Sequence, residues 1–171
     1  MRIGRFLGVG FRVNNLFLLV LLLAGLAGRL EQVLFLFLAV FLHELGHVAA
    51  ARSRGLSVRE IELLPFGGVA RVDDFLELDP AVERAVALAG PCTSFFLAGG
   101  LLLARKYGLL ERSQADFLLG CNLMVAAFNL IPALPLDGGR IYRAHLVGRM
   151  GFRRATEQAA AVGKAMAALL A

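Results

Sequence analysis

Long apolar runs separated by short charged segments set the pattern of this chain. Leu16 to Gly28 is apolar and is closed by Arg29, which predicts a short first membrane span after Asn14 and Asn15, with Phe11 and Val13 extending it. From Val33 to Ala51 every residue is apolar or Gly except His43, Glu44 and His47, and Arg52 and Arg54 close that second span before Gly55 stops it. A third run opens amphipathically near Pro80 with Glu83 and Arg84 and continues to Ala104. Gly90-Pro91 inside it predicts a kink, with Thr93 and Ser94 placed to take up freed backbone groups. A fourth span is predicted from about Ala115 to Leu134, and the stretch from Ala159 to Ala171, apolar apart from Lys164, reads as a weak or truncated fifth.

Two segments break this pattern. Residues 1–13 carry Arg2, Arg5 and Arg12 and read as an interfacial arm. In 56–72, Val58, Ile61, Leu63 and Leu64 lie among Arg59, Glu60 and Glu62, followed by Phe66-Gly67-Gly68-Val69. That pattern predicts two short strands around a Gly-Gly turn. Asp73, Asp74, Glu77 and Asp79 then make an acidic, wet loop. The expected fold is an all-α polytopic membrane protein: a bundle of about four to six transmembrane helices, with a small β-hairpin or sheet at the cytoplasmic membrane face. No internal repeat or second soluble domain interrupts residues 1–171, so a single membrane-embedded domain is expected.

Composition supports the membrane reading. Hydrophobic residues make up 58% of the 171 and Trp is absent. The mean hydropathy of +0.72 is too high for an ordinary soluble domain. The net charge of +5 does not point to nucleic acid, because Lys and Arg cluster at the ends of apolar runs. Placing the N-terminus inside leaves only Arg29, Arg105, Lys106 and Arg112 in outside loops. The asymmetry favours a multi-pass protein with a cytoplasmic N-terminus. Cys92 and Cys121 both lie in apolar runs, so no disulfide framework is expected.

The chemistry sits in the second span. His43 and His47 are four residues apart and share one helix face, so two imidazoles can reach one metal ion. Glu44 is rotated about 100° from His43. It stands beside the metal position, where it can take a proton from water as the base of an H-E-x-x-H zinc hydrolase. Single buried histidines are often only hydrogen-bonded core residues, but here three ionisable groups share one otherwise apolar helix, where each is costly. A catalytic zinc usually takes three protein ligands. Asp137 is the foremost candidate for the third, because Pro132, Pro135 and the Gly138-Gly139 pair break the helix at the level of His47. Its alternative role is to cap the following helix, paired with Arg140. His145 is the rival ligand, placed among Arg143, Leu146 and Arg149 as an interfacial residue would be. Asn129 is either a donor to substrate or a helix–helix hydrogen-bonding residue.

His43-Glu44-Leu45-Gly46-His47, taken with Asn129 through Asp137-Gly138-Gly139, resembles the site-2 protease family of intramembrane zinc metalloproteases. The Leu64-Pro65-Phe66-Gly67-Gly68-Val69 stretch, with no inserted PDZ domain, is most similar to the branch of stage IV sporulation protein FB. The resemblance implies Zn2+ held by His43, His47 and Asp137, with Glu44 as base. It implies hydrolysis of a membrane-tethered protein to release a cytoplasmic product, in the sporulation branch a sigma-factor precursor. Members often carry Asn where this chain has Ser94 after Gly90-Pro91. The branch usually continues into a CBS domain, which residues 1–171 do not contain. The expected partners are the substrate, the lipid bilayer of a bacterial cytoplasmic-type membrane and membrane regulatory proteins. An extended substrate is expected to add to a strand edge at Phe66, Gly67, Gly68 and Val69. The competing functions are a metal-binding membrane transporter, which needs no Glu44 base, and an inactive protease-like scaffold.

Overall fold

The computed structural model describes residues 2–6, 9–64, 67–72 and 79–170. Four strands, β1 (Arg2–Phe6), β2 (Val9–Val13), β3 (Val58–Leu64) and β4 (Gly67–Val72), form one sheet in the order β1-β2-β3-β4. The described residues also form six helices in chain order: α1 (Asn15–Leu26), α2 (Leu30–Ser53), α3 (Pro80–Lys106), α4 (Arg112–Asn129), α5 (Asp137–Met150) and α6 (Phe152–Leu170).

The described part of the N-terminal arm is strand. Val9, Phe11 and Val13 alternate with Gly10 and Arg12, the period of two that a pleated strand requires. β2 runs parallel to β3, pairing Gly10 with Glu60 and Val13 with Leu63. Parallel neighbours need a long crossover, and α1 and α2 supply it. Phe11 and Val13 consequently do not extend the first span. α1 begins at Asn15 with the Asn14 side chain accepting from Leu16 N at 2.9 Å.

β3 and β4 are antiparallel, with Leu63 opposite Gly68 and Leu64 opposite Gly67. Gly67 and Gly68 thus stand in the ladder rather than in the turn, and β4 is an edge strand of the described sheet. Phe66 and the acidic residues Asp73, Asp74 and Glu77 lie outside the described residues.

α3 is the central helix, packed against α2, α4 and α5. Asp79 caps it, accepting from Ala81 N at 2.7 Å, and Pro80 fills its first turn, where no N–H is needed. Helices α2 and α3 approach closely at Gly46, where an added Cβ would lie 2.2 Å from Thr93 Oγ1. Val48, Ala51, Val58 and Val86 form a buried cluster that ties α2 and α3 to the start of β3. Phe17 and Phe37 pack at 4.3 Å between centroids and join α1 to α2.

Among the described residues α2 and α3 are long and apolar enough to cross a bilayer, and α1 is a shorter apolar helix. Large apolar side chains point outward along the bundle, including Leu22, Leu34, Phe96, Leu103 and Phe128. α4 ends at Asn129, short of the expected Leu134, and a tight loop leads into α5. The prolines there cannot donate to a continuing helix. The last basic segment is two helices, α5 and α6, divided at Gly151 with φ +78.

Candidate active site

His43 and His47 lie on the inward face of α2, and both are buried. Their rings meet edge to face at 4.8 Å between centroids. Asp137, the first residue of α5, is buried against them. Its Oδ2 is 3.1 Å from His43 Nε2 and 3.0 Å from His47 Nε2. Asp137 does not cap its helix: Leu136 holds the cap position, and the carboxylate points at the histidines. Burial raises the Asp137 pKa, but the two imidazoles beside it outweigh that and lower it to about 2, so the group is a carboxylate at neutral pH. Arg140 Nη1 stands 3.7 Å from Asp137 Oδ1.

The loop that delivers Asp137 depends on its glycines. A Cβ on Gly138 would lie 2.2 Å from Leu130 O, and one on Gly139 would lie 2.4 Å from Leu134 N. Only Gly lets the first turn of α5 rest on residues 130–134.

The ligand atoms of His43, His47 and Asp137 lie within 4.8 Å of one another. Tetrahedral zinc bonded at about 2.0–2.1 Å separates its ligands by roughly 3.3 Å, close to the Nε2–Oδ2 spacings above. His47 Nδ1 donates to Val86 O at 2.8 Å, so neutral His47 presents an unprotonated Nε2 to the cluster. Two imidazole nitrogens and one carboxylate oxygen are a donor set that zinc accepts. His145 is exposed and stands apart from this group.

Glu44 is half-buried on the neighbouring flank of α2, and His47, Asp137 and Arg140 are its electrostatic neighbours. Asn129 donates its amide to Val125 O at 3.0 Å, within its own helix. Gly67, Gly68 and Val69 lie in β4, which packs against α2.

Three features of the site escaped sequence reasoning. Ser94 Oγ is 3.0 Å from His43 Nδ1, a side-chain partner across the α2–α3 contact that Gly90-Pro91 did not suggest. Thr93, by contrast, bonds the backbone as the sequence led one to expect, its Oγ1 donating to Ala89 O at 2.8 Å. Gly90 lies under the imidazoles, where a Cβ would be 2.2 Å from His47 Nε2 and 2.6 Å from His43 Nε2. Glu83 and Arg143 form a buried ion pair that clamps α3 to α5, with Arg143 also 5.0 Å over the Phe152 ring. The four-residue spacing of Val86, Gly90 and Ser94 was visible in the sequence, but Gly90-Pro91 signalled only a kink.

The profile of Peptidase family M50 matches residues 32–109 and 112–170. The chain belongs to that family. Its relatives in M50 include a zinc metalloprotease of Methanocaldococcus jannaschii, 39% identical over 138 residues that cover 79% of this chain and 40% of that protein. Stage IV sporulation protein FB of Bacillus subtilis is 30% identical over 130 residues, covering 76% of this chain and 45% of that protein. The chain thus spans less than half the length of these curated relatives. A solved site-2 protease from Methanocaldococcus jannaschii superposes with a TM-score of 0.80 at 34% identity, over 99% of this chain and 82% of that one. The family match and the site-2 protease fold agree with a His43–His47–Asp137 group able to hold a zinc ion.

Proposed function

We propose that this chain is an intramembrane zinc metalloprotease that hydrolyses a peptide bond in a membrane-tethered protein and releases a cytoplasmic product. The observation that carries the reading is the convergence of His43 Nε2 and His47 Nε2 on Asp137 Oδ2, with Glu44 beside them on the same helix. Bound by these three residues, zinc would supply Lewis-acid polarisation of the scissile carbonyl and activation of a water. Glu44 takes the proton from the attacking water and returns it to the leaving amine. Arg140 and the two imidazoles hold the Asp137 carboxylate in place.

In the membrane the protein is multi-pass, with four to six spans, a cytoplasmic N-terminus and the sheet at the cytoplasmic face. The basic flanks of the apolar runs support that orientation. The scissile segment must be extended, since a helical carbonyl is already hydrogen-bonded. The edge of β4, at Gly67, Gly68 and Val69 with Phe66 just before it, is the place for it: an edge strand offers unpaired backbone groups, and β4 packs on the helix that carries the histidines. Asn129 would reach the substrate by releasing Val125 O. Likeness to the sporulation branch makes a sigma-factor precursor the first substrate to try.

The test is co-expression with membrane-tethered candidates, comparing the wild type with Glu44→Gln. The variant keeps its zinc and loses cleavage by about 10²- to 10⁴-fold, the usual contribution of a general base. Cleavage at the wild-type rate by Glu44→Gln refutes the role of Glu44 and returns the transporter and scaffold readings to the front.

A further inference from the structure

α3 supplies no ligand to the metal centre, yet it touches both histidines. Val86, Gly90 and Ser94 are spaced four residues apart, so they form one stripe along α3 facing α2. Each end of the stripe meets one imidazole at Nδ1: His47 on Val86 O at 2.8 Å and His43 on Ser94 Oγ at 3.0 Å. Between them Gly90 lets both rings lie against the backbone, since a Cβ there would fall within 2.6 Å of either Nε2. Ser94 is fully buried, so no water competes for this bond.

The tautomers follow from the partners. A carbonyl only accepts, so His47 must carry its hydrogen on Nδ1. A serine hydroxyl can donate or accept. If Ser94 donated, neutral His43 would be protonated at Nε2 and could not bind a metal there. Ligation at Nε2 therefore requires Ser94 to accept from His43 Nδ1.

We infer that the Val86–Gly90–Ser94 stripe of α3 is a positioning template for the metal centre, holding both imidazoles with Nδ1 protonated and Nε2 aimed at Asp137, and that Ser94 is the positioning residue for His43. Outer partners of metal-bound histidines fix ring orientation and tautomer, and their loss typically weakens metal binding about 10- to 100-fold. The inference rests on the zinc reading above, so the two must be tested separately.

Zinc content of the detergent-purified wild type tests the metal reading: about one ion per chain is expected, and a metal-free wild type overturns both. The template is tested in Ser94→Ala and Ser94→Thr by zinc titration against a competing chelator, alongside the thermal midpoint of the metal-free forms. Ser94→Ala weakens zinc binding about 10- to 100-fold at an unchanged metal-free midpoint, and Ser94→Thr, which keeps the hydroxyl, binds like the wild type. A Ser94→Ala protein that binds zinc as tightly as the wild type overturns the inference. A second measurement needs no variant. The chain has 3 histidines, so 15N-histidine spectra of the zinc-loaded wild type resolve each ring. His43 and His47 must both show a protonated Nδ1 and a metal-bound Nε2. Metal at Nδ1 of either ring overturns the template even if the Ser94 variants fail to fold.

Discussion

Gly90→Ala places a methyl group where the two imidazoles meet the backbone of α3. The new Cβ would lie 2.2 Å from His47 Nε2, 2.4 Å from His47 Cε1 and 2.6 Å from His43 Nε2. Non-bonded heavy atoms settle near 3.5–4.0 Å, so the His47 ring must retreat by about 1.3 Å or α2 and α3 must part by as much. Neither is easy. Gly46 already brings α2 against Thr93 and Ala89 O, and His47 is tied to Val86 O. Metal–ligand bonds tolerate displacements of about 0.2 Å, so a shift several times larger separates the Nε2 atoms from Asp137 and removes the zinc site. The overpacking itself costs about 1–3 kcal/mol. Gly99→Ala is the matched control: it lies on the same helix, and a Cβ there meets nothing within 4 Å. Metal analysis and thermal unfolding of both purified proteins make the comparison. Gly99→Ala should keep one zinc per chain, and Gly90→Ala should lose it. A Gly90→Ala protein that retains stoichiometric zinc with wild-type affinity refutes the packing of the two imidazoles against Gly90 of α3.

Asp137→Ala should bind zinc far more weakly than His145→Ala in chelator competition; the reverse order would make His145 the third ligand. Glu83→Ala leaves the Arg143 guanidinium buried without its partner, and a loss of about 3–5 kcal/mol is expected in reversible unfolding in detergent. An unchanged midpoint would mean that α3 and α5 are held together without that pair. Val69→Pro removes one backbone donor from β4, and cleavage of a tethered substrate should fall while zinc content stays at the wild-type level. Undiminished cleavage would place the substrate elsewhere.

What the sequence determined by itself was local. His43 and His47 sit one helical turn apart inside an apolar run, so their shared face follows from helix geometry before any packing is known. Asp137 was legible for a related reason: prolines and a glycine pair mark a helix break, and an acid there is displayed rather than absorbed into a face. Tertiary structure decided how that carboxylate is used, since only the fold brings Oδ2 to both imidazoles across 94 residues of chain. It decided that Ser94 and Val86 O hold the rings, because a helix presents several equivalent stripes and packing selects the one that faces α2. It also drew β2 alongside β3, a parallel pairing that no nearby turn could signal. Periodicity shows which residues share a face, but the partner of that face is set by contacts between segments far apart in the chain, and those arise only when the helices pack.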